Sequence, residues 1–333
     1  MSQSLSTVLN NMIDEFMGDR NNVVGSTSEH TSDLSNPSVA STTNRNDTPT
    51  IRERFTTPVD VRVAPIPVQN DGIQPLNLHN GPVFHTMYLM KANFKHLSLA
   101  DIVKEAIDGI LREGDKEGPQ REINQMHARQ LAQRLQNVRH HANNAKDIYD
   151  IHPDIGDTCI YLYTLETFWY RSINSTLRAL PAITDEQFQT FAPFCYLLQT
   201  YLKKTPAVED NVPSIVYRGV RLTDEQIEQY KQTNNCFQFT SFTSTSKNRT
   251  KAEEFGNALF IINLNVLDYR GEEVIRVGAY IAQHSRFPPE EEFLLWPLTI
   301  LRFEKYEFDA VKKKHLIYLT SAVHPDLAAR NRR

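Results

Sequence analysis

The segment SIVYRGV, at residues 214–220, is the first of seven short runs that are rich in β-branched and aromatic residues. The other six are 236–246 (CFQFTSFTSTS), 258–264 (ALFIINL), 277–282 (VGAYIA), 292–296 (EFLLW), 298–307 (LTILRFEKYE) and 313–320. Runs of this length and composition, separated by turn-forming segments, are typical of β-strands. Their number and spacing predict an antiparallel β-sandwich over residues 206–325.

The residues before Pro206 follow a helical period instead. Apolar residues recur every three or four positions in the segments 99–111, 131–145, 156–179 and 184–203, which predicts four helices. Ser98 with Asp101, and Thr184 with Gln187, have the spacing of helix-capping boxes. Helices followed by strands indicate the α+β class, with an N-terminal helical lobe at 83–205 ahead of the β-sandwich core.

Residues 1–82 are predicted to be a largely disordered N-terminal region. Residues 21–60 are mostly Ser, Thr and Asn, so they cannot bury enough apolar surface to offset the entropy of ordering. Within residues 5–17, an apolar stripe predicts a short amphipathic helix; it consists of Leu5, Val8, Leu9, Met12, Ile13, Phe16 and Met17. A helix this short is marginal alone, and it is suited to docking on a partner, a membrane surface or its own protein.

Composition excludes several classes of protein. The 333 residues carry 36 Lys and Arg against 40 Asp and Glu, a balance that gives no reason to expect nucleic-acid binding. No run of 18 apolar residues and no secretory signal is present, so we expect no membrane span and a cytoplasmic protein, with a nuclear location also compatible. Three scattered cysteines and the adjacent His140 and His141 predict no metal site. The basic cluster at 312–314 is expected to be solvated.

Three short motifs contain side chains that are able to bind a ligand or take part in a reaction. Arg218 and Gly219 end an apolar strand, where a guanidinium can face a phosphate and glycine lets a ligand approach the backbone. Ser244 lies in the strand TSTS, and alternation places it on the same face as Ser246. Glu290 and Glu292 run directly into an apolar strand, with Cα atoms roughly 6.5–7 Å apart if extended. Taken singly, the motifs are more typical of structural features: the arginine of a surface ion pair, the TSTS strand of a polar edge strand, and the glutamates of a solvated turn.

As an ordered set, the motifs YRG, STS and ExE resemble the R-S-E class of arginine-specific mono-ADP-ribosyltransferases, which includes vertebrate ectoenzymes and bacterial actin-modifying toxins. The helical segment containing Tyr163, Tyr170, Asn174 and Arg178 also resembles the stretch ahead of the catalytic core in the ectoenzymes. The resemblance covers roughly residues 85–325 and identifies 83–325 as the catalytic domain. It implies transfer of ADP-ribose from NAD or NADP to an exposed arginine of an acceptor protein, with NAD as a substrate and no permanent cofactor.

The resemblance also implies roles for individual residues. Arg218, with Gly219 beside it, would bind the phosphates of NAD. Ser244 would orient Glu292, which would be the catalytic glutamate. The remaining assignments are Glu290, implied to select arginine acceptors, Phe287 as an aromatic for substrate recognition, and Phe255 as a ring stacked on nicotinamide. Two alternatives remain open at this point: an NAD glycohydrolase that uses the same cleft, and an inactive fold whose N-terminal helix recruits a partner.

Overall fold

The structure is a computed structural model, and it describes residues 74–75, 84–165, 167–179, 182–204, 213–232, 236–264 and 276–322. The amphipathic helix predicted at 5–17 and the disordered stretch predicted at 21–60 lie outside these ranges. The domain bounds 1–82 and 83–325 therefore stay predictions. None of the helices in the described ranges combines the length and the apolar character needed to cross a membrane.

The first part of the described chain is helical. Its elements are α1 (Phe84–Phe94), α2 (Leu99–Gly114), α3 (Arg121–Val138), a 3-10 helix (Arg139–Asn144), α4 (Pro153–Thr164), α5 (Phe168–Arg178) and α6 (Asp185–Lys204). Both predicted capping boxes are confirmed: the backbone N–H groups of Ser98 and Thr184 donate to the Asp101 carboxylate and the Gln187 amide oxygen, each at 3.0 Å. The helix α6 is buried on most of its surface and is packed by α1, α2 and α4, so it forms the centre of the helical lobe.

Two features of the lobe differ from the sequence prediction. The single helix expected at 156–179 is interrupted, because Leu165 and Thr167 both adopt extended backbone angles and separate α4 from α5. The apolar period did not reveal this break, since both helices bury large side chains. The helix α1 was not predicted, because its buried residues include His85 and are too few to form an apolar stripe.

The second part of the chain contributes the sheet and two short helices. Its strands are β2 (Ile215–Val220), β3 (Cys236–Phe239), β4 (Thr243–Ser246), β5 (Ala258–Asn263), β6 (Gly278–Tyr280), β7 (Glu292–Leu295), β8 (Thr299–Asp309) and β9 (Lys314–Ser321), with β1 (Gln74–Pro75) added from upstream. The helices are α7 (Asp224–Gln232) and α8 (Arg249–Glu253), and a 3-10 turn (Pro288–Glu290) precedes β7. The strand order is β1-β3-β8-β9-β5-β2-β4-β7-β6. All pairs are antiparallel except β5 with β9, which is parallel.

The sheet folds over one large apolar core, as expected for a sandwich, and a smaller apolar cluster packs beside α8. The strands β2 and β4 are joined by one residue pair, Tyr217 with Ser246. The Phe239 ring on β3 contacts Phe260 on β5 with centroids 5.9 Å apart, although β8 and β9 lie between these strands in the sheet order. Phe293 on β7 belongs to the same buried cluster. The predicted α+β class, with a helical lobe followed by a β-sandwich, is therefore confirmed.

Candidate active site

Three adjacent strands bring the predicted site residues together. Arg218 lies on β2, Ser244 on β4 and Glu292 on β7, and these strands are neighbours in the order β2-β4-β7. The three side chains line one cavity that encloses about 310 Å³ of empty space, part of it open to solvent. Residues 74 positions apart in the sequence thus meet because the sheet order places their strands side by side.

Arg218 and Ser244 are joined by a direct contact. The guanidinium Nη1 of Arg218 donates to the backbone carbonyl of Ser244 at 2.9 Å. This bond adds a link between β2 and β4, whose ladder contains one residue pair. The Ser244 side chain is 1% exposed, and its hydroxyl has no hydrogen-bond partner among the described residues. A buried hydroxyl without a partner is unfavourable by about 1–3 kcal/mol, so it is well suited to accept or donate a bond to a ligand in the cavity.

The acidic segment adopts a different backbone from the one predicted. Glu290 ends a 3-10 turn, Glu291 has a left-handed conformation with φ 48° and ψ 48°, and Glu292 begins β7. The expectation of an extended segment was wrong, because a 3-10 turn and a left-handed residue precede Glu292. Glu290 and Glu292 nevertheless both line the cavity and are 5% and 1% exposed. The backbone carbonyl of Glu290 is held by the Ser246 hydroxyl at 2.6 Å.

The serine bonded to Glu292 is one that the sequence analysis did not single out. Ser285 Oγ donates to Glu292 Oε2 at 3.1 Å, whereas the role of orienting Glu292 was assigned to Ser244. Ser285 lies in the turn before the 3-10 helix, two residues ahead of Phe287. No periodic pattern marks such a turn, and the signal that was available is the short distance in sequence to the ExE motif.

Gly219 and Phe255 form the wall of the cavity opposite the acidic segment, together with α8. A Cβ atom at Gly219 would lie 2.1 Å from the carbonyl oxygen of Ala252 and 2.8 Å from Phe255 Cβ. Glycine is thus required here so that α8 can pack against β2, a reason that differs from the ligand access expected from the sequence. Phe255 is 6% exposed and lines the same cavity as Arg218.

Lys314 anchors this wall through hydrogen bonds to backbone carbonyls. Its ammonium donates to the carbonyls of Glu253, Phe255 and Gly256 at 2.6, 2.9 and 3.2 Å, so all three of its N–H groups have an acceptor. Lys314 is 6% exposed, and burial lowers the pKa of its ammonium. The prediction that the cluster 312–314 is solvated was therefore wrong for Lys314, because the carbonyls at and after the end of α8 accept hydrogen bonds from its ammonium.

Phe287 is the one predicted site residue outside the cavity lining. It caps the 3-10 turn, is partly exposed, and its backbone N–H donates to Ser285 Oγ at 3.2 Å. The substrate-recognition role that the resemblance implied for Phe287 therefore stays a prediction.

The helical lobe contacts the sandwich next to β4. The Tyr163 ring lies 5.3 Å from the Phe242 ring, and its hydroxyl accepts a bond from Asn174 Nδ2 at 2.9 Å. Thr164 Oγ1 accepts from the backbone N–H of Arg286 at 2.9 Å. The helical residues that carried the sequence resemblance are thus those that support the acidic segment and β4.

A second polar cluster lies in the helical lobe. Among the described residues, His141, His152 and Asp154 form the one group whose ligating atoms all fall within 4.8 Å of one another. The rings of His141 and His152 stack at 4.1 Å with planes 6° apart, so their nitrogen lone pairs do not converge on one point. His152 Nδ1 already accepts from the Asp154 backbone N–H at 3.3 Å. This arrangement is that of a capped helix start, and the absence of a metal site stays a prediction.

A family model that matches this sequence places the chain among the ADP-ribosyltransferases. More narrowly, it belongs to the NAD:arginine ADP-ribosyltransferase family, whose family model matches residues 104–324, more than half of the chain. The sequence resemblance to this class is confirmed. No curated protein matches the sequence.

Three bacterial proteins are among the solved structures with a similar fold. HopU1, an ADP-ribosyltransferase of Pseudomonas syringae pv. Tomato, is 20% identical with a TM-score of 0.44, and the match covers 67% of this chain and 96% of that one. The type III effector XopAI of Xanthomonas axonopodis pv. citri is 15% identical with a TM-score of 0.45, over 67% and 83% of the two chains. Vis toxin, an ADP-ribosyltransferase of Vibrio splendidus, is 18% identical with a TM-score of 0.40, over 63% and 89% of the two chains.

Proposed function

We propose that this protein transfers ADP-ribose from NAD to arginine side chains of acceptor proteins and releases nicotinamide. The observation that carries the proposal is the convergence of Arg218, Ser244, Glu290 and Glu292 on one cavity from separate parts of the chain. Family membership supports a transferase. The pair of buried carboxylates supports a cationic acceptor that loses a proton as it reacts.

The cations of the cavity suit the diphosphate of a dinucleotide. Arg218 on β2 and Lys251 on α8 both line the cavity, and a guanidinium can bind phosphate oxygens with two parallel hydrogen bonds. The space of about 310 Å³ includes open solvent and is too small to enclose a dinucleotide, so the dinucleotide would extend past the cavity along the surface. The unpartnered Ser244 hydroxyl then has a ribose or amide group of the substrate within its reach.

Glu292 suits the charge that develops when the bond between nicotinamide and ribose breaks. The sugar becomes an oxocarbenium-like cation, as in glycoside cleavage. A carboxylate that is 1% exposed stabilises such a cation more strongly than a solvated one, because little water screens the interaction. The C–N bond breaks with its electron pair on nicotinamide, and the acceptor nitrogen forms the new bond to the sugar carbon.

The acceptor proton gives Glu290 a separate task. A guanidinium has a pKa above ~12, against ~4.3 for an ordinary glutamate, so prior deprotonation by a carboxylate would cost about 11 kcal/mol. The proton must therefore leave as the new C–N bond forms. Glu290 lines the same cavity as Glu292 and is the group that would accept it.

Matched glutamate-to-glutamine variants test these roles. Labelled NAD is incubated with agmatine or polyarginine, and both transfer and free ADP-ribose are measured. Glu292→Gln is expected to lose both products by ~10²–10³-fold. Glu290→Gln is expected to lose transfer while it still releases ADP-ribose into water. Glu291→Gln removes the same charge from the exposed residue between them and is the control, with both activities retained.

Three outcomes would contradict the proposal. Transfer by Glu290→Gln at the wild-type rate would show that the proton has another acceptor. Release of free ADP-ribose by the wild type without any transfer to arginine would identify the protein as an NAD glycohydrolase with the same cavity. If the wild type leaves NAD intact, the fold serves as an interaction module.

A further inference from the structure

Ser285 makes a hydrogen bond that restrains the Glu292 carboxylate. The backbone of Glu292 is held on both sides, by pairing with Ser246 on β4 and by an Ile281 N–H that donates to its carbonyl at 2.9 Å. These bonds fix its Cα atom and leave three side-chain torsions to be set. The hydrogen bond from Ser285 Oγ to Glu292 Oε2, at 3.1 Å, restricts those torsions.

The direction of the Ser285 proton follows from its other bond. The hydroxyl has one donor and two acceptor positions. Its oxygen accepts the backbone N–H of Phe287 at 3.2 Å, so its proton is available for the carboxylate. Ser285 is 6% exposed, so water competes little for this proton. Hydrogen bonds from a neutral donor to an ionised carboxylate are also stronger than those between neutral groups.

The helical lobe anchors the turn that contains Ser285. The residue after it, Arg286, donates its backbone N–H to Thr164 Oγ1 at 2.9 Å, and Thr164 in turn donates to the Tyr161 carbonyl at 3.0 Å. The residue before it, His284, lies with Nδ1 3.3 Å from an Asp157 carboxylate oxygen. Both flanking residues are therefore tied to α4, which holds Ser285 at a fixed distance from β7.

We propose that Ser285 is a positioning residue that aligns the Glu292 carboxylate with the sugar carbon for transfer. The sequence resemblance implied this orienting role for Ser244 instead. The proposal rests on the proposed function. Misplacement of a reacting group by about 1 Å reduces turnover by as much as ~10²-fold, so a loss of this bond should lower kcat. Because the bond does not contact the phosphate end of the substrate, KM for NAD should change little.

The test compares Ser285→Thr with Ser285→Val. Threonine and valine have the same shape, so steric effects cancel and the two variants differ in the hydroxyl alone. We expect Ser285→Thr to retain kcat within ~3-fold of wild type and Ser285→Val to lose at least ~10-fold relative to Ser285→Thr, with KM for NAD within ~3-fold in both. Ser321→Ala, a buried serine on β9 outside the cavity lining, is the control and should leave kcat unchanged.

Equal kcat values for Ser285→Thr and Ser285→Val would overturn the proposal, as would a fall in Ser285→Val confined to KM. Crystal structures of both variants decide the question independently of turnover. The Glu292 carboxylate should keep its place in Ser285→Thr and move in Ser285→Val, and an unmoved carboxylate in both would also overturn the proposal. If the wild type neither transfers nor hydrolyses, the proposed function fails, and the two crystal structures still decide the role of Ser285.

Discussion

The free energy of unfolding should decrease steeply as the pH falls, because the folded protein buries a histidine, His85, in its neutral form. Its Nε2 lies 2.9 Å from Thr200 Oγ1, and its ring stacks on Tyr196 with centroids 5.2 Å apart. The side chain is 8% exposed, and burial, assisted by the positive charge of Lys203, lowers the pKa of His85 from 6.5 to about 4. The folded state therefore keeps the imidazole neutral over a range in which the unfolded chain binds a proton.

The sign and size of the effect follow from this difference. As the pH falls from above 6.5 towards 4, the unfolded state gains protons first, so the free energy of unfolding decreases. The full loss is about 3 kcal/mol, since one pH unit of pKa difference corresponds to about 1.4 kcal/mol. About 2 kcal/mol of it should be lost between pH 7.5 and pH 5.0, where the folded imidazole is still mostly neutral.

Urea denaturation of the wild type and of His85→Gln at pH 7.5 and 5.0 measures this quantity. Glutamine does not titrate and can still hydrogen-bond to Thr200, so the variant reports the pH dependence of all other groups. We expect the wild type to lose about 2 kcal/mol more than His85→Gln between the two pH values. Parallel losses in the two proteins would refute the reasoning, because His85 would then be protonated in the folded state as well.

Two further predictions concern the wall of the cavity, and both are measured by urea denaturation. Lys314→Met leaves three carbonyls without their donor and should lower the free energy of unfolding by about 3 kcal/mol, whereas Lys313→Met, an exposed neighbour, should change it by less than about 0.5 kcal/mol. A small effect of Lys314→Met would mean that water replaces the ammonium. Gly219→Ala forces a Cβ against Ala252 and should destabilise by about 1–3 kcal/mol, whereas Gly118→Ala, with open space around it, should be close to neutral. Equal changes in the free energy of unfolding for Gly219→Ala and Gly118→Ala would show that α8 can move away from the added Cβ without a loss of stability.

The sequence predicted the class of the fold and the members of the cavity lining for identifiable reasons. Strand composition and helical period are local properties, so they indicated a helical lobe ahead of a sandwich. Glu292 begins β7, whereas Arg218 and Ser244 lie within β2 and β4, and all three are marked by short motifs. Their convergence depends on the order β2-β4-β7, which local patterns alone do not contain.

The features that were missed depend on contacts between distant residues. Lys314 is buried because α8, some 60 residues earlier, ends above it. The hydroxyl of Ser285 meets Glu292 because α4 holds the intervening turn, and no periodicity describes a turn. The parallel pairing of β5 with β9 likewise joins strands more than 50 residues apart. The left-handed Glu291 was missed because a run of three glutamates carries no turn signal.

The central claim is that the cavity lined by Arg218, Ser244, Glu290 and Glu292 attaches ADP-ribose to arginine. Its most direct test incubates the protein with NAD labelled in the adenosine moiety and a cell extract, and then maps the modified side chain by mass spectrometry. The account predicts ADP-ribose on an arginine guanidinium, and no labelled protein with Glu292→Gln. Labelled protein that carries ADP-ribose on another type of side chain, or labelling that persists in Glu292→Gln, would contradict it.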